Sequence, residues 1–189
     1  MASLTVLGAR ALRELVKLGS TVRSVLTGSR TREKVIARGI KEYNNWAEKD
    51  GCYFNKKYTP ILVITAGKPG QSFDTITQKT ERDMQMLATF HRAQMLQEEG
   101  DPNFPAKFFV DPPLIYGVMI AGTKVIFVTL DSKHPDDTPR AIADFDFNDP
   151  TMDVWNGFAI AILITATRNW LAEQLKDVPN TRRIEDVDA

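Results

Sequence analysis

Two hydrophobic periods alternate along the chain, and their order outlines a fold. Leu4, Val6, Leu7, Leu12, Leu15, Val16, Val22 and Leu26 are spread among Arg, Ser and Thr as one or two helical segments. Gly8 and Gly19 interrupt them, and Gly28-Ser29 is a break. From Thr31 to about Lys49 the residues Val35, Ile36, Ile40, Tyr43 and Trp46 return at helical spacing, with Thr31 placed to cap the helix. Asp50-Gly51 is a turn, and Cys52 to Phe54 is expected to form a short strand with Asn55 to Lys57 as its connection. Ile61 to Thr65 is β-branched and apolar on both faces, bounded by Pro60 and Gly67. Such a run predicts a strand at about 60–66, lying centrally in a sheet and covered on both sides.

A long helix is expected from Asp74 to about Glu99, where Ile76, Met84, Leu87, Ala88, His91 and Met95 share a stripe. Residues 100–105 read as a loop. Phe108–Val110, Leu114–Ile120 and Lys124–Leu130 read as strands, the last two joined by a hairpin turn at Ala121-Gly122-Thr123. Ala141 to Phe147 alternates as an edge strand does. A final helix is expected from Thr151, its cap, to about Lys176, with Asp153 at its positive end. Val154 to Ala166 is apolar nearly all round, which predicts packing against the sheet. The pattern gives an α/β (α+β) fold with a single mixed β-sheet flanked by helices. Its expected organisation is a basic helical extension or leader over 1–30, one α/β domain over 31–176, and a polar tail over 177–189.

Length and composition fit this reading. A chain of 189 residues with 43% hydrophobic and 25% charged positions can build one core. Its formal net charge of zero argues against a surface that coats nucleic acid. The average conceals an asymmetry: residues 1–41 hold nine Lys or Arg and two acids, so the remainder is correspondingly acidic. The basic segment, with Arg23, Arg30 and Arg32, reads as the solvated face of an amphipathic helix, as a mitochondrial-type leader, or as an arm for an anionic partner. Cys52 is the only cysteine, so no intramolecular disulfide forms, and an intracellular site fits: nucleus, cytoplasm or mitochondrion. The most apolar run, Phe158 to Ala166, is too short to span a bilayer, which needs roughly 20 residues.

One stretch carries candidate chemistry. The strand at Ile61–Thr65 ends in Ala66-Gly67-Lys68, Pro69-Gly70 follows, and the next helix bears Gln78 and Gln85. Farther on, Tyr116-Gly117 and Gly122 bracket four residues of a hairpin. Over roughly residues 31–170 these features resemble the restriction-endonuclease-like core of the PD-(D/E)XK nuclease superfamily, in the form found in type I restriction subunits and fungal proteins. The resemblance implies an αβββαβ core preceded here by a helical extension. It also implies a Mg²⁺ site at which Lys68 orients or deprotonates water beside two carboxylates. Positions 66 and 68 of a strand share a face, so an acid at 66 belongs with Lys68. Mg²⁺ held there would activate water and stabilise charge on a phosphate.

Residue 66 is alanine, and the preceding segment has no Pro-Asp; its nearest acids are Glu48 and Asp50. Glu42 is in place to act as a helical acid does in some relatives. The resemblance therefore implies a nuclease-like fold without metal-dependent catalysis or cofactor, used to bind protein, or nucleic acid through Gln78, Gln85, Arg23, Arg30 and Arg32. An active Mg²⁺-dependent nuclease drawing on Lys68, Glu42 and Asp50, or on the Asp144/Asp146 pair, is the alternative. A small organellar assembly protein is a third reading. Asp131, His134, Asp136 and Asp137 form a polar loop cluster without metal-ligand spacing. Neither a P-loop, a Rossmann glycine pattern nor a serine elbow is present.

Overall fold

The computed structural model describes residues 4–25, 31–98 and 107–179, with the side chains of 4–6 and 98 outside that description. Two compact units contain the chain: residues 1–58 with 146–189, and residues 59–145.

The first unit is helical. It holds α1 (Leu4–Arg23), α2 (Arg32–Asp50) and α4 (Asp153–Gln174). Thr31 caps α2 as expected, its side chain accepting from the Lys34 amide at 3.3 Å. The stripe that defined this helix is its inner face: Val35, Ile36, Ile40, Tyr43 and Ala47 are buried. α1, expected as a basic extension, packs into this unit. Leu15 is 2% exposed and Val22 is fully buried. Its glycines are contact points instead, because a Cβ on Gly8 would stand 2.9 Å from the Trp46 ring. Gly157 of α4 lies as closely against Val16, where a Cβ would meet backbone at 3.1 Å.

Two local expectations are corrected in this unit. Cys52–Phe54 is a turn, with Cys52 at φ 60°. The amides of Tyr53 and Phe54 both donate to the Glu48 carbonyl, which leaves them unavailable to a strand ladder. Thr151 does not cap α4. A 3₁₀ turn at Pro150–Met152 precedes that helix, and Asp149 accepts from the Thr151 amide at 2.9 Å.

The second unit is a sheet with one covering helix. It contains β1 (Leu62–Ala66), α3 (Phe73–Met95), β2 (Leu96–Glu98), β3 (Lys107–Phe108), β4 (Leu114–Ala121), β5 (Lys124–Asp131) and nearly all of β6 (Arg140–Asp146). β1, β4, β5 and β6 form a mixed sheet in the order β1-β4-β5-β6, and β2 pairs with β3 in a small second sheet. β1 runs parallel to β4, from Leu62 opposite Tyr116 to Ala66 opposite Ile120. β4 and β5 are antiparallel, joined by a tight turn in which Gly122 takes φ +64°, a conformation glycine adopts without strain. The fold is thus mixed α/β, as the hydrophobic periods predicted.

β1 is not central. It pairs with β4 alone within the four-stranded sheet and occupies an edge, opposite the expected edge strand β6. The strands buried on both faces are β4 and β5. Val118, Ile120, Val125 and Phe127 fill one face, and Met119 and Val128 line the other beneath α3. Gly117 makes that approach possible. A Cβ there would stand 2.6 Å from Met84 Sδ and 2.5 Å from Val128 Cγ2. α3 starts at a Ser72 cap, just before the expected Asp74, but stops at Met95 rather than near Glu99 because Leu96–Glu98 pairs with Lys107–Phe108.

Candidate functional site

The Lys68 turn is built by local hydrogen bonds. Beyond β1 the Gly67 amide donates to the Ile120 carbonyl at 2.8 Å, extending the parallel ladder by one residue. The Lys68 amide then donates to Gln71 Oε1 at 2.9 Å, and the Gln71 amide returns to the Lys68 carbonyl at 3.0 Å. This closes a turn that delivers Ser72 to the start of α3 and leaves the Lys68 side chain exposed. Gln78 is exposed on α3, and Gln85 is half-buried on it.

Glu42 and Asp50 belong to the helical unit and are engaged within it. Glu42 Oε1 lies 3.5 Å from Arg38 Nε one helical turn away. Asp50 Oδ2 accepts from Arg168 Nη2 at 2.5 Å, tying the end of α2 to α4. The residues that the nuclease resemblance assigns to Mg²⁺ therefore do not fit it. Ala66 offers a methyl group where an oxygen is required, and Asp50 is held by a guanidinium. Among the described residues, no group of three or more His, Cys, Asp or Glu is placed to hold a metal ion. Asp144 is exposed, and Asp146 Oδ1 accepts from the Asn148 amide at 2.8 Å.

The basic residues divide similarly. Arg23 grips Asp153 through two hydrogen bonds and donates a further one to the Phe147 carbonyl at 2.9 Å. Hydrogen bonding to Asp153 raises the guanidinium pKa further, so its charge is spent on an internal partner. Arg32 is exposed. Arg30 lies outside the described residues.

Sequence reasoning missed the outer face of α4. Asn156, Gly157, Ile160, Leu163, Ile164, Thr167 and Leu171 are buried on one side. Trp155, Phe158 and Ile162 recur at helical spacing on the other, with Val154 at their margin. Trp155 is 66% exposed and Ile162 69% exposed. No charged residue occurs between Val154 and Thr167. The all-round apolar composition was the signal. Burial explains only the half of it that α4 turns inward.

Two cavities open among the described residues. One, of about 420 Å³, lies along α1 and α2. The other, of about 300 Å³, lies beside α3 over Met119, Ile126 and Val128, with Glu81 as its charged residue. Among the described residues, no helix is long and apolar enough to cross a membrane. Comparison with family models, with curated proteins and with solved structures finds no match to this chain.

Proposed function

We propose that this chain is a non-catalytic binding module whose partner is a protein and whose docking face is the outer side of α4. The carrying observation is the exposed run Val154, Trp155, Phe158 and Ile162 on a helix surface that bears no charge. Large apolar side chains clustered on one surface mark interaction sites far more often than scattered ones do. Removing the exposed part of each from water gains roughly 1 kcal/mol, and tryptophan is among the residues most used as interface anchors. A nucleic-acid surface requires a cluster of free cations instead, and the stretch Val154–Thr167 of α4 carries none. The reading does not depend on the nuclease resemblance, which supplies a frame but no working donor set.

Quantitative affinity capture with the intact chain, Phe158→Asp and Ile162→Asp tests this. Both substitutions fall at exposed positions, where a new charge changes folding stability little. The expected outcome is a protein retained by the intact chain, insensitive to nuclease treatment, and lost from both variants. Retention that both variants keep, or that nuclease removes, would contradict the proposal. So would Mg²⁺-dependent cleavage of DNA or RNA abolished by Lys68→Ala.

A further inference from the structure

β6 ends the four-stranded sheet, and among the described residues no strand pairs with its outer side. Arg140 through Asp144 are exposed, and Ile142 leaves 51% of its surface in water. Farther along, Phe145 packs edge-on against Phe127 of β5 with ring centres 5.1 Å apart, which holds the strand on its neighbour. β6 is thus an ordered strand whose outer row of amides and carbonyls has no strand partner. Such an edge is a template for another strand, and natural sheets ordinarily guard it with charge.

Two charges lie on this edge, and their placement decides what it accepts. Alternate positions of a strand share a side, so Arg140, Ile142 and Asp144 stand in one row. Neither Arg140 nor Asp144 has an ion pair among the described residues. They are opposite in sign and flank Ile142 symmetrically. An antiparallel second copy centred on Ile142 sets Arg140 opposite Asp144 of that copy, Ala141 opposite Ala143, and Ile142 opposite itself. The two-fold axis repeats each contact, so both ends gain an attraction. A slip of two residues in either direction sets Ile142 against a charge, and parallel pairing in register sets like charges together. Charges that would guard the edge against other strands therefore complement an antiparallel copy of their own.

From this we infer that β6 is the pairing edge for a second copy of this chain. The two β6 strands run antiparallel about a two-fold axis at Ile142 and join two four-stranded sheets into one continuous sheet. The Ile142 side chains meet at the axis, with Cβ atoms roughly 5 Å apart. One strand per chain buries little area, so the dimer is reversible, with a dissociation constant on the order of micromolar. The inference concerns the sheet unit and stands without the α4 reading.

Sedimentation equilibrium of the full chain, of Arg140→Glu, of Asp144→Lys, and of an equimolar mixture of the two variants tests it. Both substituted positions are exposed, so the fold is kept. The intact chain should associate reversibly to a dimer. Each variant alone sets like charges opposite each other at both ends and should dimerise about tenfold more weakly or worse. In the mixture every charge again meets its opposite, so dimers of one Arg140→Glu chain with one Asp144→Lys chain should form with an affinity close to that of the intact chain. A monomeric intact chain, or single variants that stay apart when mixed, would overturn the inference. So would dimerisation that both single variants keep, as self-association through α4 would give.

Discussion

Arg23 and Asp153 meet in a two-pronged ion pair, Nη1 to Oδ1 at 2.8 Å and Nη2 to Oδ2 at 2.6 Å. The pair joins the last residue of α1 to the first residue of α4. Asp153 also sits where the helix dipole favours an anion. Arg23→Lys keeps the charge but loses the fork geometry. Thermal melts should therefore rank the intact chain above Arg23→Lys, and Arg23→Lys above Arg23→Ala, with the differences shrinking at high salt. Indistinguishable melting curves would show that the pair contributes nothing to holding α1 on α4.

The apolar side of α1 should matter more than its charges. Leu15→Ala should cost about 2–5 kcal/mol in urea unfolding, the usual result of hollowing a packed site. A change within about 0.5 kcal/mol, typical of a surface substitution, would mean that α1 is an appendage.

The two acids once considered for chemistry should behave as structural groups of unequal weight. Glu42→Ala breaks an exposed pair within one helix and should cost roughly 0.5 kcal/mol or less. Asp50→Ala removes the ion-pair partner of the half-buried Arg168 and should cost more, about 1–3 kcal/mol. Urea midpoints of the two variants decide the order.

His91 should make the sheet unit sensitive to mild acid. Burial lowers its pKa, against a weaker opposing effect of its Nε2 contact with the Pro60 carbonyl at 3.1 Å. A lowered folded-state pKa means that the unfolded chain takes up the proton more readily. The stability held near pH 7.5 is then lost as pH falls below the ordinary histidine value of 6.5 and through the folded value. The difference in unfolding free energy between about pH 7.5 and pH 5 should be smaller in His91→Gln than in the intact chain. An identical pH dependence in both would remove His91 from this role.

Much of this architecture is legible in the residues. The spacing of Val35, Ile36, Ile40 and Tyr43 fixes the inner face of α2, and Gly122 between apolar runs fixes the β4–β5 hairpin. The position of β1 was not legible. A run apolar on both faces suits a central strand, but which strands pair is decided by long-range contacts, and β4 takes β5 as its second neighbour. The Cys52 turn was hidden for a similar reason, since its amides are claimed by carbonyls at the end of α2. The sequence already shows that residue 66 lacks the acid that the nuclease resemblance implies, and Lys68 lies in the turn beyond β1. The exposed side of α4 was masked by composition alone. Ile160 and Ile162 are chemically alike, yet one is fully buried and the other 69% exposed.

Site-specific photo-crosslinking reads out directly whether the outer side of α4 is a protein-docking face. A benzophenone amino acid replaces Trp155 in one chain, Ile162 in a second and exposed Lys41 of α2 in a control. A docking face there gives the same protein adduct from positions 155 and 162, absent from position 41 and lost when Phe158→Asp is added. Adducts of equal yield from all three positions, or from position 41 alone, would contradict it.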